Sequence, residues 1–261
     1  MMEWLLVGAV IACILLIILS GLPRSHARRE IGFSEGIDDA SVGEAFNAMQ
    51  NLPQFKLVRG IIIQHVTKPK IGEPLAPESS LLDLGCGTGH LLLAFHEAIA
   101  SKKISALRLH GIDIGTESVR LCRDALANAG IDDIDVREGD GANMPYADAT
   151  FDVIVTSLSL HHWTSPPLVF DEIYRVLRPG GLLVLFDMRR DCRKNWHRLL
   201  RFATRAIVPK PLRAVREPLG SLLASYTKAE LQDILSTTSW AKSENIIESV
   251  MFAQVLEARK P

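Results

Sequence analysis

Three glycines at alternate positions stand between an apolar run and a helical pattern. Residues 81–84 lead into Gly85, Gly87 and Gly89, and the helical pattern begins at His90. A glycine turn lets a ligand approach bare backbone, and the N-terminus of the following helix attracts negatively charged groups. The dinucleotide turn Gly-x-Gly-x-x-Gly would need Gly or Ala where His90 stands. The spacing therefore indicates a ligand-binding turn and argues against NAD.

Two acidic residues follow later apolar runs. Asp113 ends the run 107–113, where a carboxylate can accept hydrogen bonds from both hydroxyls of a ribose. Asp140 follows the run 134–136, where it can accept from an adenine amino group. Each acid also has a local explanation, because Asp113 can cap the next helix and Asp140 can order its own loop. The ordered set of glycines and acids favours a functional site.

Two further segments complete a family pattern. The apolar run 151–155 and the sequence Leu-Arg-Pro-Gly-Gly at 177–181 follow in order. With the glycine turn and the acids, they resemble the class I (Rossmann-like) S-adenosylmethionine-dependent methyltransferases, most nearly the branch that contains the quinone-biosynthesis enzymes. The resemblance covers about residues 81–258 and implies a doubly wound α/β fold, with a seven-stranded sheet whose last strand is antiparallel. We expect Leu-Arg-Pro-Gly-Gly itself to act structurally, as a helix stop and turn.

The resemblance also implies roles for individual residues. Four residues would hold the amino-acid part of the cofactor S-adenosylmethionine: Asp83, Gly85, Gly87 and Gly89. Six more would complete the cofactor site: Asp113 at the ribose, Ile114 on adenine, Asp140 at the adenine amine, and Gly141, Ala142 and Ser157. The aromatic Tyr-Asp element often found ahead of the sheet in this branch is absent, which leaves the cofactor contacts of residues 45–55 open.

Two adjacent histidines offer a catalytic base. His161 and His162 follow the apolar run 151–157, where cofactor and acceptor would meet, and histidine titrates near neutral pH. Methyl transfer is an in-line displacement from a sulfonium, so the enzyme orients a nucleophile and removes its proton where it carries one. We therefore expect His161 or His162 to be catalytic. The alternatives are that His-His-Trp only packs and orders the loop, or that an acceptor already ionised needs no strong base.

An alternating α/β chain must position these residues. From residue 80, short apolar runs alternate with amphipathic stretches, which is typical of a parallel sheet covered on both faces. The expected strands are residues 81–84, 107–113, 134–136, 151–157 and 182–187, and the expected helices are 90–100, 117–129 and 167–177. A helix at 227–235 and an antiparallel pair of edge strands at 241–250 and 252–258 follow. Residues 45–66, interrupted by Pro53, predict one or two helices over a ligand cleft.

The first 22 residues predict a membrane anchor. Residues 4–22 carry no charge, and nineteen helical residues at about 1.5 Å each span roughly the 30 Å core of a bilayer. A cleaved signal peptide is the alternative, but a basic start and a small-x-small cleavage site are lacking. Arg24, Arg28 and Arg29 follow, which predicts a single-pass protein with a cytosolic catalytic domain. We therefore expect an anchor at 1–22, a linker at 23–40 and a methyltransferase domain at 41–261.

The cysteines indicate neither a disulfide framework nor a metal site. Cys13, Cys86, Cys122 and Cys192 form no CxxC pair and have no histidine at metal spacing. Reduced thiols suit a cytosolic domain. The chain length of 261 residues allows one large α/β domain beside the anchor.

A basic segment contrasts with the net charge of -1. Residues 189–216 hold ten Lys and Arg and a single acid, Asp191. On a helix, an apolar face with Trp196 would oppose Arg198 and Arg201, which suits a helix on an anionic membrane. A solvated face over a packing stripe is an equal alternative, and binding of RNA phosphates is disfavoured by sparse aromatic interleaving. We assign this segment to a substrate-side region, residues 189–226.

The sequence as a whole predicts methyl transfer to a small-molecule or lipid-like acceptor near the membrane, such as a quinone precursor, phenol, thiol or lipid. Two alternatives stay open. An RNA or protein methyltransferase would use the basic segment to grip a polymer. A membrane-tethered protein could bind S-adenosylmethionine without turnover, although the intact Asp83, Asp113 and Asp140 disfavour this.

Overall fold

A computed structural model describes residues 23–30 and 40–261, which contain a seven-stranded sheet. The strands are β1 (Ser79–Leu84), β2 (Leu107–Asp113), β3 (Asp135–Glu138), β4 (Phe151–Ser157), β5 (Leu177–Met188), β6 (Glu244–Val250) and β7 (Ala253–Arg259). Their order is β3-β2-β1-β4-β5-β7-β6, in which the first five strands are parallel and β7 is antiparallel to both neighbours. The expected sheet with a reversed last strand is confirmed.

Helices connect the strands and precede the sheet. They are α1 (Ala40–Gln50), α2 (Pro53–Thr67), α3 (His90–Ala100), α4 (Thr116–Asn128), α5 (Pro166–Val176), α6 (Lys194–Ala206), α7 (Lys210–Ala214), α8 (Leu219–Ala224) and α9 (Lys228–Ser236), with a 3-10 turn at Leu160–His162. Pro53 stands in the first turn of α2, where its missing N–H costs nothing. The helical pattern at 45–66 therefore corresponds to two helices, and the second begins at this proline.

The sheet is buried on both faces, as its continuous apolar strands require. All six residues of β1 are buried, and so is β5 from Leu182 onward. Helices α2, α3 and α4 cover one face through side chains such as Ile62, Phe95 and Val119. Helices α5 and α9 cover the other face, with Trp240 packed beside them. The carboxyl ends of the parallel strands remain available for a site.

The segment Leu-Arg-Pro-Gly-Gly differs in part from expectation. Helix α5 does stop at Val176, but strand β5 already begins at Leu177, and its register against β4 shifts between Phe151 and Val153. Gly180, at a φ of +77°, makes this irregular stretch possible. The N–H of Gly180 donates to Lys260 O at 2.9 Å, so pairing with the end of the chain holds these residues in the sheet.

Helix α9 begins with a capping box formed by Thr227 and Glu230. The Thr227 hydroxyl accepts from the N–H of Glu230 at 3.2 Å, and the Glu230 carboxylate accepts from the N–H of Thr227 at 2.9 Å. The helix therefore begins where expected. The first edge strand starts at Glu244, three residues later than the expected start at residue 241.

Residues 23–30 of the expected linker lie against the basic segment. The N–H of Ser25 donates to Cys192 O at 2.9 Å, and that of Glu30 donates to Leu223 O at 3.0 Å. The guanidinium of Arg190 also donates to Ala27 O at 3.1 Å. This part of the linker is therefore attached to the domain along α6 and α8.

The expected anchor at 1–22 and the linker residues 31–39 lie outside the described residues. Within residues 23–30 and 40–261, none of the helices combines the length and the apolar character needed to cross a bilayer.

Candidate functional site

A cavity of 740 Å³ opens at the carboxyl ends of the central strands. Its floor is the loop after β1 and the ends of β2 and β4. Its roof comes from two parts of the chain outside the sheet: α1 with α2, and the basic segment around α7. This is the location at which ligands bind in doubly wound α/β sheets, and the volume lies in the range of cofactor sites.

The glycine turn divides into residues that face the cavity and one that does not. Gly85 and Gly87 line the cavity with φ of +74° and +53°, and a Cβ added to Gly87 would stand in open space. Gly89 has a φ of +81° and is the N-cap of α3. A Cβ on Gly89 would lie 2.6 Å from the Sγ atom of Cys122, and this glycine is outside the cavity lining. Gly89 therefore allows α3 to pack closely on α4.

Asp83 has a buried carboxyl oxygen that needs a partner. The residue is 1% exposed and lines the cavity, and its Oδ2 atom has no hydrogen-bond partner among the described residues. Burial, together with the nearby Asp113, raises the pKa of Asp83 to about 8. An ammonium group bound beside it would satisfy the oxygen and favour the ionised form. The chemistry of Asp83 thus fits the amino-acid end of S-adenosylmethionine.

Asp113 holds the glycine turn and faces the cavity at the same time. Its Oδ2 atom accepts from the N–H of Gly87 at 2.8 Å, and its Oδ1 atom accepts from the N–H of Gly115 at 2.9 Å. Burial raises the pKa of this carboxyl despite those hydrogen bonds. A carboxylate has about four acceptor positions, so both oxygens can still accept from ribose hydroxyls. The local and the ligand-binding explanations are compatible.

The remaining expected cofactor residues line the same cavity. Ile114, 43% exposed, presents an apolar side chain, as an adenine face requires. Asp140 is exposed, and its Oδ1 atom accepts from the N–H of Ala142 at 2.8 Å, which orders the loop after β3. Gly141 and Ser157 also line the cavity. The structure thus brings together every expected cofactor residue except Gly89.

His161, which also lines the cavity, is paired with a buried carboxylate. Its Nδ1 atom lies 2.7 Å from Oδ1 of Asp187, and its backbone N–H donates to Oδ2 of Asp187 at 3.0 Å. The Nε2 atom is buried without a hydrogen-bond partner among the described residues. Burial alone would lower the pKa of His161, but the Asp187 carboxylate outweighs it, and the pKa is raised. His161 therefore has the arrangement of a general base.

His162 is less suited to that role. Its ring centroid lies 4.2 Å from that of His161, and burial with the neighbouring His161 lowers the pKa of His162 to about 3. Such a ring accepts a proton only weakly near neutral pH. Trp163 donates from Nε1 to the Ser159 hydroxyl at 3.0 Å, so the loop-ordering explanation holds for the tryptophan.

Sequence reasoning missed two acids of the site. Asp187 lies at the carboxyl end of β5, a position that could have drawn attention to it. Glu217, directly after the basic segment, lines the cavity, accepts from the Ser221 hydroxyl, and has its pKa raised by burial. Nothing local in the sequence marks Glu217, because it is brought to the cavity by the fold of α7 and α8.

Residues 45–55, whose cofactor contacts the sequence leaves open, contribute to the lining of the cavity. Phe46, Met49 and Phe55 line the cavity from α1 and α2. Arg59, buried on α2, donates to the side chain and the backbone carbonyl of Gln50 at 3.1 and 3.0 Å. The two helices therefore supply a mainly apolar roof.

Comparison with known proteins agrees with this geometry. Residues 82–185 match the family model of a methyltransferase domain. The 27-O-demethylrifamycin SV methyltransferase of Amycolatopsis mediterranei is 38% identical over 44% of this chain and 40% of its own length. A ubiquinone/menaquinone biosynthesis C-methyltransferase of Hydrogenovibrio crunogenus is 32% identical over 52% of each chain. The chain thus spans about half the length, or less, of these relatives.

Solved structures share the fold. A methyltransferase of Aquifex aeolicus dependent on S-adenosylmethionine superposes with a TM-score of 0.55 at 18% identity, over 86% of this chain and 95% of its own. The plantazolicin methyltransferase BpumL, solved with S-adenosylhomocysteine, has a TM-score of 0.61 at 14% identity, over 85% and 90% of the two chains. The chain therefore contains a segment, residues 82–185, that matches a methyltransferase domain, and it is similar in sequence to a quinone-biosynthesis methyltransferase and in fold to methyltransferases dependent on S-adenosylmethionine.

Proposed function

We propose that this protein transfers a methyl group from S-adenosylmethionine to a small, lipophilic acceptor that carries a removable proton. One observation supports this most strongly: Asp83 and His161 line the same cavity, and the Oδ2 atom of Asp83 and the Nε2 atom of His161 are both buried without a hydrogen-bond partner among the described residues. The first suits a bound ammonium group. The second suits a hydroxyl that must lose its proton.

At the cofactor end, the residues bind and orient. Asp83 would hold the ammonium group, Asp113 the ribose hydroxyls, and Ile114 one face of adenine, while the open space at Gly87 lets the ligand reach the backbone. When bound, S-adenosylmethionine supplies a methyl group made electrophilic by the attached sulfonium. The role of the protein at this end is to fix the direction of attack.

At the acceptor end, the residues move a proton. Nε2 of His161 would take the proton from the nucleophilic atom of the acceptor as that atom accepts the methyl group. Asp187 holds Nδ1–H, which fixes the tautomer and stabilises the imidazolium that forms. General base catalysis of this kind contributes roughly 10²–10⁴-fold to a rate.

The walls of the cavity indicate the class of acceptor. Apolar side chains predominate around the histidines and the roof: Phe46, Met49, Leu168, Val169, Leu212 and Val215. Such a surface favours a lipophilic molecule, and the base favours an acceptor with an O–H group. The names of the relatives, which refer to quinone and rifamycin methylation, support small acceptors of this kind.

The test is a product assay with the full chain in non-ionic detergent. S-adenosylmethionine is supplied with a panel of lipid-soluble phenols, quinols, thiols and lipids, and S-adenosylhomocysteine and methylated product are measured. We expect at least one hydroxylic acceptor to be methylated. Binding of S-adenosylmethionine without acceptor-dependent product would favour a non-catalytic binding protein, and methylation of RNA or protein alone would favour the polymer alternative.

We further propose that residues 1–22 anchor the chain in a membrane, with the catalytic domain on the cytosolic side. The support is the uncharged run 4–22 and the basic residues that follow it. The full chain would then stay in the membrane fraction after carbonate extraction. Glycosylation of an acceptor site engineered near Pro261 would show that the domain faces the other side.

A further inference from the structure

Helix α6 carries an uncompensated row of positive charge. Lys194, Arg198, Arg201 and Arg205 are separated by four, three and four residues, so they lie on one face of the helix. All four are exposed, and within the described parts of the chain none of them forms an ion pair. We call these four residues the basic face of α6.

The beginning of α6 is joined to the residues that follow the uncharged run 4–22. The N–H of Lys194 donates to Pro23 O at 3.1 Å, and Arg24 pairs with Arg193 as an antiparallel bridge. Pro23 comes directly after Leu22, the last residue of that run. The basic face therefore begins at the point where the chain enters the domain.

A second cavity, of 340 Å³, lies at this junction. Exposed Arg24 and Arg193 line it together with the apolar side chains of Trp196 and Met251. Arg189, at its wall, is already paired with Asp191, whereas Arg24 and Arg193 have no ion pair within residues 23–30 and 40–261. Two such guanidinium groups beside an apolar floor suit a phosphate attached to a lipid.

We propose that the basic face of α6, with Arg24 and Arg193, docks on an anionic lipid bilayer and binds the phosphates of its headgroups. Each Lys or Arg near an anionic surface favours binding by roughly fivefold. Phe202 on α6 is 60% exposed, and Ile207, directly after the helix, is 66% exposed. Both apolar side chains can enter the headgroup layer. An RNA surface is less favoured, because Phe202 is the one aromatic side chain exposed on α6.

Docking on this face would place the cavity roof beside the bilayer. Helix α6 packs on α7 and α8, and α8 packs on the 3-10 turn that carries His161. Leu212 and Val215, at α7, line the main cavity. Docking would bring the cavity close to lipophilic acceptors dissolved in the bilayer, and in this it rests on the proposed function. Lipid docking and methyl transfer can nevertheless fail separately.

The experiment uses the full chain in lipid nanodiscs of phosphatidylcholine alone or of phosphatidylcholine with phosphatidylserine. Hydrogen exchange of the α6 amides is followed by mass spectrometry. We expect exchange to be slower by about fivefold or more in the anionic discs. Raising the salt from 0.1 to 1 M shortens the Debye length from about 10 to about 3 Å, and should remove most of the protection.

Two triple variants separate this surface from charge in general. Arg198→Ala/Arg201→Ala/Arg205→Ala should abolish the difference between the discs. Lys102→Ala/Lys103→Ala/Arg108→Ala, a matched change of three exposed residues at the opposite end of the sheet, should retain it. Unchanged affinity for S-adenosylmethionine in both shows that each variant is folded. Equal exchange in the two discs overturns the proposal, and so does stronger protection of α6 by polyuridylate in neutral discs than by phosphatidylserine.

Discussion

The Nδ1 atom of His161 lies 2.7 Å from Oδ1 of Asp187, while the backbone N–H of His161 donates to the other oxygen of the same carboxylate. Both residues are buried, with His161 5% and Asp187 0% exposed. One carboxylate therefore fixes the ring and the turn that carries it. The geometry leaves Nε2 as the ring nitrogen without a hydrogen-bond partner among the described residues.

The first prediction concerns pH. A base must be neutral to accept a proton, and the pKa of His161 is raised above its ordinary value of about 6.5. Activity toward a hydroxylic acceptor should therefore rise with pH through that elevated pKa and be lost below it. In Asp187→Asn the support of the imidazolium is removed, so the acidic limb should move to lower pH while kcat falls by roughly 10²–10⁴-fold.

The measurement is a pH profile of kcat and kcat/KM for both proteins, with His162→Gln as the control. Because the pKa of His162 is about 3, that variant should keep the position of the acidic limb. If the acidic limb of Asp187→Asn has the same midpoint as that of the parent, pairing with Asp187 is not the cause of the raised pKa of His161.

The second prediction concerns proton release at Asp83. The pKa of this carboxyl is raised to about 8 in the free protein, so it is mostly protonated at pH 7. Binding an ammonium group favours the ionised form, so the proton must leave. Calorimetry at pH 7 in buffers of different ionisation enthalpy should show close to one proton released per S-adenosylmethionine, and Asp83→Asn should release none. Release that is unchanged in the variant would assign the proton to another group.

The third prediction separates two glycines of the same turn. Gly87→Ala places a methyl group in the cavity and forces an alanine to a φ of +53°, at a strain of about 1–2 kcal/mol. It should lower affinity for S-adenosylmethionine roughly tenfold or more. Gly89→Ala meets Cys122 instead, and should lower the free energy of unfolding by about 1–3 kcal/mol or more with a smaller effect on affinity. The measurements are calorimetry for affinity and denaturant unfolding for stability, on both variants. A larger loss of affinity in Gly89→Ala than in Gly87→Ala would contradict the prediction.

The fourth prediction concerns Asp113. Asp113→Ala should weaken S-adenosylmethionine binding by about 1.5–3 kcal/mol, the scale for loss of a charged hydrogen-bond partner. The same change removes the acceptor of the Gly87 and Gly115 N–H groups, so the variant is compared with Asp113→Asn, which keeps one oxygen. Parent-like affinity in Asp113→Ala would remove this residue from the site.

The sequence was sufficient for the parts of the site that are local in the chain. Apolar runs and glycine spacing predicted the strands around β1 and the turn at Gly85 and Gly87, because burial and positive φ leave direct marks on residue type. Gly89 was assigned to the ligand for the same reason, but it also lies against Cys122 of a neighbouring helix. That contact has no signature in the local pattern.

Contacts between residues far apart in the chain could not be predicted from the sequence. Asp187, at the end of β5, contacts His161 in the turn after β4. Glu217 reaches the cavity from the expected substrate-side region 189–226, in which no local pattern marks this residue. Residues 23–30 had the composition of a linker, yet their backbone groups pair with Cys192 and Leu223. Hydrogen bonding of an irregular segment depends on the partner surface, which composition does not reveal.

The most direct test of the account compares two acceptors of matched shape, a lipophilic phenol and the corresponding thiophenol, in single-turnover methylation by the full chain and by His161→Gln. The thiophenol is ionised near neutral pH and needs no base, whereas the phenol must lose a proton. The account predicts a loss of roughly 10²–10⁴-fold for the phenol and little change for the thiophenol, at equal affinity for S-adenosylmethionine. Equal losses for both acceptors, or no loss for the phenol, would contradict a catalytic role for His161.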